Sequence, residues 1–191
     1  MNENEPTEPP SSSSSDDDTP GREPSSPGAL SVDLIDRSAG LDAGVFARLS
    51  SQVRGVLAQT GASGDVRVEI VGDEAMAAAH AEYLDIEGTT DVLTFDLTGG
   101  ASATRDADGA AIDGAAPLDV DIMICVDEAR RQASELGHPV EHEMTLYALH
   151  GVLHCLGYDD TSDAAFERMH AEEDRLLTAA GLGALFSGGE P

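Results

Sequence analysis

From Leu30 onward, apolar and polar side chains alternate. Leu30, Val32 and Leu34 fall on one side and Ser31 and Asp33 on the other, which is the two-residue period of a half-buried strand. The apolar positions Val45, Phe46, Leu49, Val53, Val56 and Leu57 then recur at spacings of three and four, predicting an amphipathic helix closed by Gly61 and Gly64. Val66, Val68, Ile70 and Val71 predict a second strand, and Asp73 is placed as the N-cap of a short helix running through Met76 to Tyr83. The β-branched run TDVLTFDL, residues 90–97, predicts a third strand. A fourth is LDVDIMICV, residues 118–126, with Val120, Ile122, Ile124 and Val126 on one face and Asp119, Asp121, Met123 and Cys125 on the other. Helical stretches follow at 127–137, 140–156 and 163–180. Strands and helices mix without a strict βαβα rhythm, so the expected class is α+β: a small mixed four-stranded sheet covered by about five helices.

Three stretches lack either period. Residues 1–28 are Ser, Pro, Asp, Glu, Asn, Gly and Thr apart from Met1 and Arg22. They cannot bury enough surface to offset their conformational entropy, so a disordered acidic tail is expected. The Gly/Ala/Asp run at 98–117 reads as a flexible loop, and 184–191 as a C-terminal tail, leaving a folded domain over 29–183.

Charge changes the picture next. The 191-residue chain carries 37 acidic side chains against 10 basic ones, a formal net charge of −27, and every basic residue is arginine. The first 28 residues account for seven acids and Arg22, so the remainder keeps 30 acids against nine arginines, near −21. A broad basic field for duplex nucleic acid is excluded, and DNA is not an expected partner. Two cysteines thirty positions apart argue against a disulfide scaffold, and no stretch reaches the roughly 18 apolar residues of a membrane span. A cytoplasmic protein without membrane contact is expected.

The candidate chemistry lies in LHGVLHCLGYDD, residues 149–160. His150 and His154 are four apart on an otherwise apolar helix, so both imidazoles project from one face and can reach a single ion. Burying two imidazoles there is costly unless something engages their nitrogens. Gly157 can take the left-handed conformation that ends a helix, turning Asp159 or Asp160 back toward the pair. Two nitrogens and one carboxylate oxygen leave one position of a tetrahedral zinc site open, the arrangement of a catalytic site. The spacing is similar to the HExxHxxGxxH/D signature of zinc proteases, but their general-base Glu position is held by Gly151, so a protease is not expected.

HGVLHCLGYDD also resembles the HGxLHLxGYDH signature of the YbeY family of bacterial single-strand-specific metallo-endoribonucleases, linked to ribosomal RNA maturation. YLDIEGTTDVLTF resembles the family's YRGxDxPTDVLSF block, and LDVDIMICVDEARRQA its LGDIxIS strand with the Q-A that follows. Glu143, seven residues before His150, and Met169 in the last helix also match. The resemblance spans about residues 30–180 and implies one Zn2+ per chain, held by His150, His154 and Asp160, where the family has a third histidine. It implies cleavage of single-stranded ribosomal RNA in 16S 3′-end maturation and ribosome quality control, with the ribosome or its proteins as partner. Catalytic residues beyond the ligands stay unassigned. The family's arginine in the YRG block is Leu84 here, so its role is vacant or moved to Arg105, Arg130 or Arg131. Val120, His80 and Thr89 are further departures, standing at family Gly, Asn and Pro positions. Two other readings stay open: a non-catalytic ribosome-assembly factor with a structural metal, which Leu84 favours, and a metallo-hydrolase of a small molecule or peptide.

For the remaining polar positions, Thr90 and Asp91 either line the cleft or cap the third strand. Asp121 either supports a ligand histidine or sits on an exposed strand face. Cys155 is expected to be a buried thiol, because adjacent helix residues point about 100° apart. Cys125 stands where the family commonly has serine. His138, His142 and His170 are read as surface residues.

Overall fold

The computed structural model describes residues 28–38, 40–106 and 113–185. Most of the expected acidic tail, the centre of the 98–117 segment and the end of the C-terminal tail lie outside the described residues.

The elements run β1 (Leu30–Asp36), α1 (Ala43–Ala58), β2 (Gly64–Val71), α2 (Asp73–Leu84), β3 (Val92–Asp96), β4 (Leu118–Cys125), α3 (Val126–Leu136), α4 (Val140–Cys155) and α5 (Asp163–Ala179). The class is the expected α+β. The four strands form one sheet in the order β1-β2-β4-β3. β1, β2 and β4 are parallel, with Val32 opposite Val66 and Val66 opposite Val120. β3 runs antiparallel along the outer edge of β4, with Val92 opposite Ile124.

The alternation in β2 and β4 puts Val66, Val68, Ile70, Val120, Ile122 and Ile124 into the main core beneath α1 and α4. α4 is the centre of that core. With no continuous polar face, it buries twelve of its residues between the sheet, α1, α3 and α5. On the other side of the sheet, Met76 and Ala79 of α2 pack on Val71, Leu93 and Cys125.

Several boundaries shift by a residue or two. Gly72, not Asp73, is the N-cap of α2. Asp73 opens the helix, where its backbone N–H donates to Asp127 Oδ2 (3.0 Å) and its carboxylate accepts from Arg131 Nη2 (2.8 Å). The αL residue that ends α2 is Asp85, at φ 57°. Thr90 and Asp91 precede β3 and do not belong to it: Asp91 Oδ1 accepts from Val92 N–H (2.8 Å) and Thr90 Oγ1 (2.9 Å), closing the strand's start. Val126 opens α3 and does not extend β4.

Residues 98–106, inside the expected flexible loop, are anchored to the end of α4. Ser102 is buried and its Oγ donates to the Cys155 carbonyl (3.3 Å), while Thr104 donates N–H (2.9 Å) and Oγ–H (3.0 Å) to the Leu156 carbonyl. This fixes one wall beside the segment that carries the candidate chemistry. No helix among the described residues is long and apolar enough to cross a membrane.

Candidate metal centre

α4 presents His150 and His154 one turn apart, with their Nε2 atoms 3.0 Å apart. After Cys155 the helix closes in a Schellman motif, in which Tyr158 N–H donates to Leu153 O (3.0 Å) and Gly157 N–H to His154 O (3.0 Å). Gly157 takes φ +91°, and a Cβ built on it would run into the Arg105 carbonyl, so this position demands glycine twice over. The reversed chain delivers Asp160, whose Oδ2 lies 3.7 Å from His150 Nε2 and 3.9 Å from His154 Nε2. The three donor atoms fall within 4.8 Å of one another. Donors about 2.0–2.2 Å from a tetrahedral ion stand about 3.3 Å apart, within the range of the observed edges.

The hydrogen bonds behind the rings say more. His150 Nδ1–H donates to Glu173 Oε1 (2.9 Å), and His154 Nδ1–H to the Tyr158 carbonyl (3.1 Å). Both acceptors lack hydrogens, so in the neutral tautomers each Nε2 turns a lone pair toward the other. Two lone pairs facing each other at this distance repel, and a metal cation or a shared proton between them relieves the repulsion. The donor set therefore fits a borderline metal ion, with Asp160 as the third donor.

Glu173 escaped the sequence reading. It is fully buried on α5, and its second oxygen accepts from His170 Nδ1 (2.5 Å), so one carboxylate bridges two histidines. Burial pulls the His150 pKa down, but the Glu173 hydrogen bond and the charges of Glu173, Asp160 and Asp91 outweigh it and leave the imidazole above its ordinary value. A signal was present, because Glu173 sits on the apolar stripe of α5 with Met169, Leu176 and Leu177. An acid on such a stripe needs a partner. The expectation of a surface His170 is corrected: it is largely buried between Glu173 and the Phe166 ring. His138 also differs, its Nε2 held 2.9 Å from the buried Glu143 carboxylate, while His142 is only partly exposed. Burial raises the Glu143 carboxyl above its usual range, against the pull of His138 and Tyr147.

Two cavities of about 520 Å³ each meet at His150 and Asp91. Thr90, Glu143, Tyr147 and His170 line the first; Leu84, Thr94, Phe95 and His154 line the second. Thr90 and Asp91 thus cap the strand and line the cleft. Leu84 is 53 % exposed on the cleft wall, so an apolar side chain stands beside the histidines. Neither Arg130, which pairs with Asp127, nor Arg131, which pairs with Asp73 and Glu128, lines either cavity. Asp121 does not reach the histidines: it pairs with Arg67 on the open sheet face, and Glu173 does the supporting in its place. Burial pushes the Cys155 thiol up to about 12, so it stays protonated and apart from the donors.

The absence of a protease-type base has a structural cause. A Cβ built on Gly151 would run into Thr94 Oγ1, where α4 crosses β3. A larger side chain there requires the Thr94 hydroxyl to turn away.

Fold and site together define an α+β protein with a candidate centre for one metal ion at the end of its core helix. A family model for endoribonuclease YbeY matches residues 45–181. The chain belongs to the endoribonuclease YbeY family. Curated relatives named Endoribonuclease YbeY include one from Macrococcus caseolyticus, 34 % identical over 155 residues, covering 80 % of this chain and 97 % of the relative. Another, from Corynebacterium aurimucosum, is 33 % identical over 153 residues, covering 78 % of each chain. A Thermotoga maritima protein solved in solution is 21 % identical, with a TM-score of 0.45 over 78 % of this chain and 89 % of that one.

Proposed function

We propose that this chain is a single-strand-specific, zinc-dependent endoribonuclease that matures the 3′ end of 16S ribosomal RNA and serves ribosome quality control in the cytoplasm, with the ribosome or its proteins as partner. His150, His154 and Asp160 hold one zinc ion. The observation that carries this reading is the convergence of His150 Nε2, His154 Nε2 and an Asp160 oxygen within 4.8 Å, each ring hydrogen-bonded from behind at Nδ1, in a chain of the YbeY family. When bound, the ion supplies polarisation of a phosphoryl oxygen and activation of a water or of the RNA 2′-hydroxyl. The chain's own contribution is placement: Glu173 and the Tyr158 carbonyl fix the two rings, and the Schellman turn fixes Asp160. Asp91 and Thr90 line the floor where the strand passes.

The test is cleavage of a single-stranded ribosomal RNA fragment and of the same sequence in duplex form. Expected is cleavage of the single strand alone, lost on chelation and restored by zinc. Cleavage that persists through complete chelation would remove the metal from the account. The exposed Leu84 on the cleft wall favours a second reading, a non-catalytic assembly factor with a structural zinc. That reading expects ribosomal subunits to be bound and the single strand to stay intact.

A further inference from the structure

A cavity of about 340 Å³ lies behind the metal turn, between residues 105–106, residues 157–159 and α5, and the side chains of Arg105, Arg168 and Arg175 open onto it with Tyr158. It shares a wall with the candidate metal centre: the Tyr158 carbonyl takes His154 Nδ1–H, and Asp159, on the cavity wall, adjoins Asp160 in the chain.

The other arginines of the fold are engaged elsewhere. Arg37 pairs with Glu69, Arg48 with Glu141, Arg67 with Asp119 and Asp121, Arg130 with Asp127, and Arg131 with Asp73 and Glu128, while Arg54 donates to the Val32 carbonyl. Three of the fold's nine guanidinium groups therefore converge on one cavity. Among the described residues Arg168 has no ion-pair partner. Arg105 lies over the Tyr158 ring at 4.9 Å, a cation–π contact on the cavity wall.

Three carboxylates, Asp106, Asp159 and Glu172, share the wall. Glu172 receives both Arg175 Nε (2.7 Å) and Nη2 (2.7 Å), which lowers its pKa and fixes that guanidinium at the rim. Asp159 accepts from Thr161 Oγ1 (2.5 Å) and from Asp160 N–H (2.9 Å). With Asp106 counted, formal charge balances here, whereas the fold as a whole stands near −21. An incoming anion meets less repulsion from a locally balanced set than from the acidic fold as a whole.

We propose that this cavity grips a backbone phosphate of the single-stranded RNA next to the scissile one, with Arg105 and Arg168 as the contacts and Tyr158 as their support. The inference rests on the endoribonuclease reading. It assigns to the far side of the metal turn the backbone grip that the apolar Leu84 cannot give on the cleft side.

The experiment measures binding of the zinc-loaded full chain to a single-stranded 2′-O-methyl RNA across a salt series, alongside cleavage of the unmodified strand. One phosphate contact on a single strand changes the slope of log K against log salt by about 0.7. Arg168→Ala and Arg105→Ala are each expected to weaken binding about three- to tenfold and flatten the slope by about 0.7. They should raise KM more than they lower kcat and leave zinc content unchanged, and Arg168→Lys should keep the slope. Arg37→Ala, remote from the cavity, should change none of these. If wild type cleaves RNA while both alanine variants match it in affinity and slope, the cavity is not an RNA contact and the endoribonuclease reading stands. A wild type that neither binds nor cleaves RNA overturns both. Inorganic phosphate bound by wild type and lost in Arg168→Ala, with RNA affinity unchanged, would make this a small-anion site and overturn the RNA contact.

Discussion

A carboxylate with no exposure to water, accepting from two histidines at once, is costly to bury unless both oxygens are used, and Glu173 uses both. If its task is to hold His150 in the Nδ1–H tautomer, Glu173→Gln should fold normally and bind zinc about 10- to 100-fold more weakly, the usual cost of losing such a support. A chelator competition titration reads this, and an unchanged zinc affinity would assign Glu173 to packing alone. Asp160→His should preserve or raise zinc affinity in the same titration, because an imidazole nitrogen is as competent a zinc donor as a carboxylate oxygen; a clear loss would mean that Asp160 is no ligand. The sequence showed His150, His154 and Asp160 because one helix and one reversing glycine hold all three within eleven residues. Glu173 was hidden because it reaches His150 from the next helix, and no spacing rule connects positions 23 apart.

Element periodicity was nearly all legible, and strand order was not. The alternation in β2 and β4 and the three- and four-residue spacings in α1 show which side chains face inward. Nothing local says that β4 inserts between β2 and β3, since that pairing joins residues more than fifty positions apart. Boundaries slipped where side chains act over a distance: Asp73 resembled a cap but is drawn into an ion pair with Arg131 of α3. The guanidinium, with a hydrogen bond from the Cys125 thiol, holds the Asp73 carboxyl at about 2. An ordinary aspartate titrates near about 4, so the tie contributes stability above that pH and loses it as pH falls toward 2. Asp73→Asn should therefore lower the thermal midpoint slightly at neutral pH and soften its decline between pH 4 and 2. The effect is modest and fades in high salt because the pair is nearly half exposed. An identical acid profile in the variant would deny the tie between α2 and α3. The contact between α4 and β3 is stricter: Gly151→Ala must push Thr94 aside, and a loss of about 1–3 kcal/mol is expected in denaturant titration. A neutral result would show that Thr94 turns away without cost.

Across the whole molecule, the acidic balance constrains how the site can work. With the fold near −21, RNA is not drawn in by a general field, so the proposed contact rests on the metal and on a few guanidinium groups beside it. For a chain that acts on ribosomal RNA as proposed, weak capture of free RNA and reliance on a ribosomal partner are the expected outcome. Composition made this constraint legible, but only the folded chain shows three arginines gathered behind the metal turn, because they come from two segments more than sixty residues apart. The central claim is that the α4 histidines hold the ion on which RNA cleavage depends. Its most direct test is metal content together with cleavage of single-stranded ribosomal RNA, for wild type and His154→Ala. The account predicts one zinc per wild-type chain with cleavage, and the loss of both in a folded variant. Cleavage retained by a metal-free His154→Ala protein would contradict it.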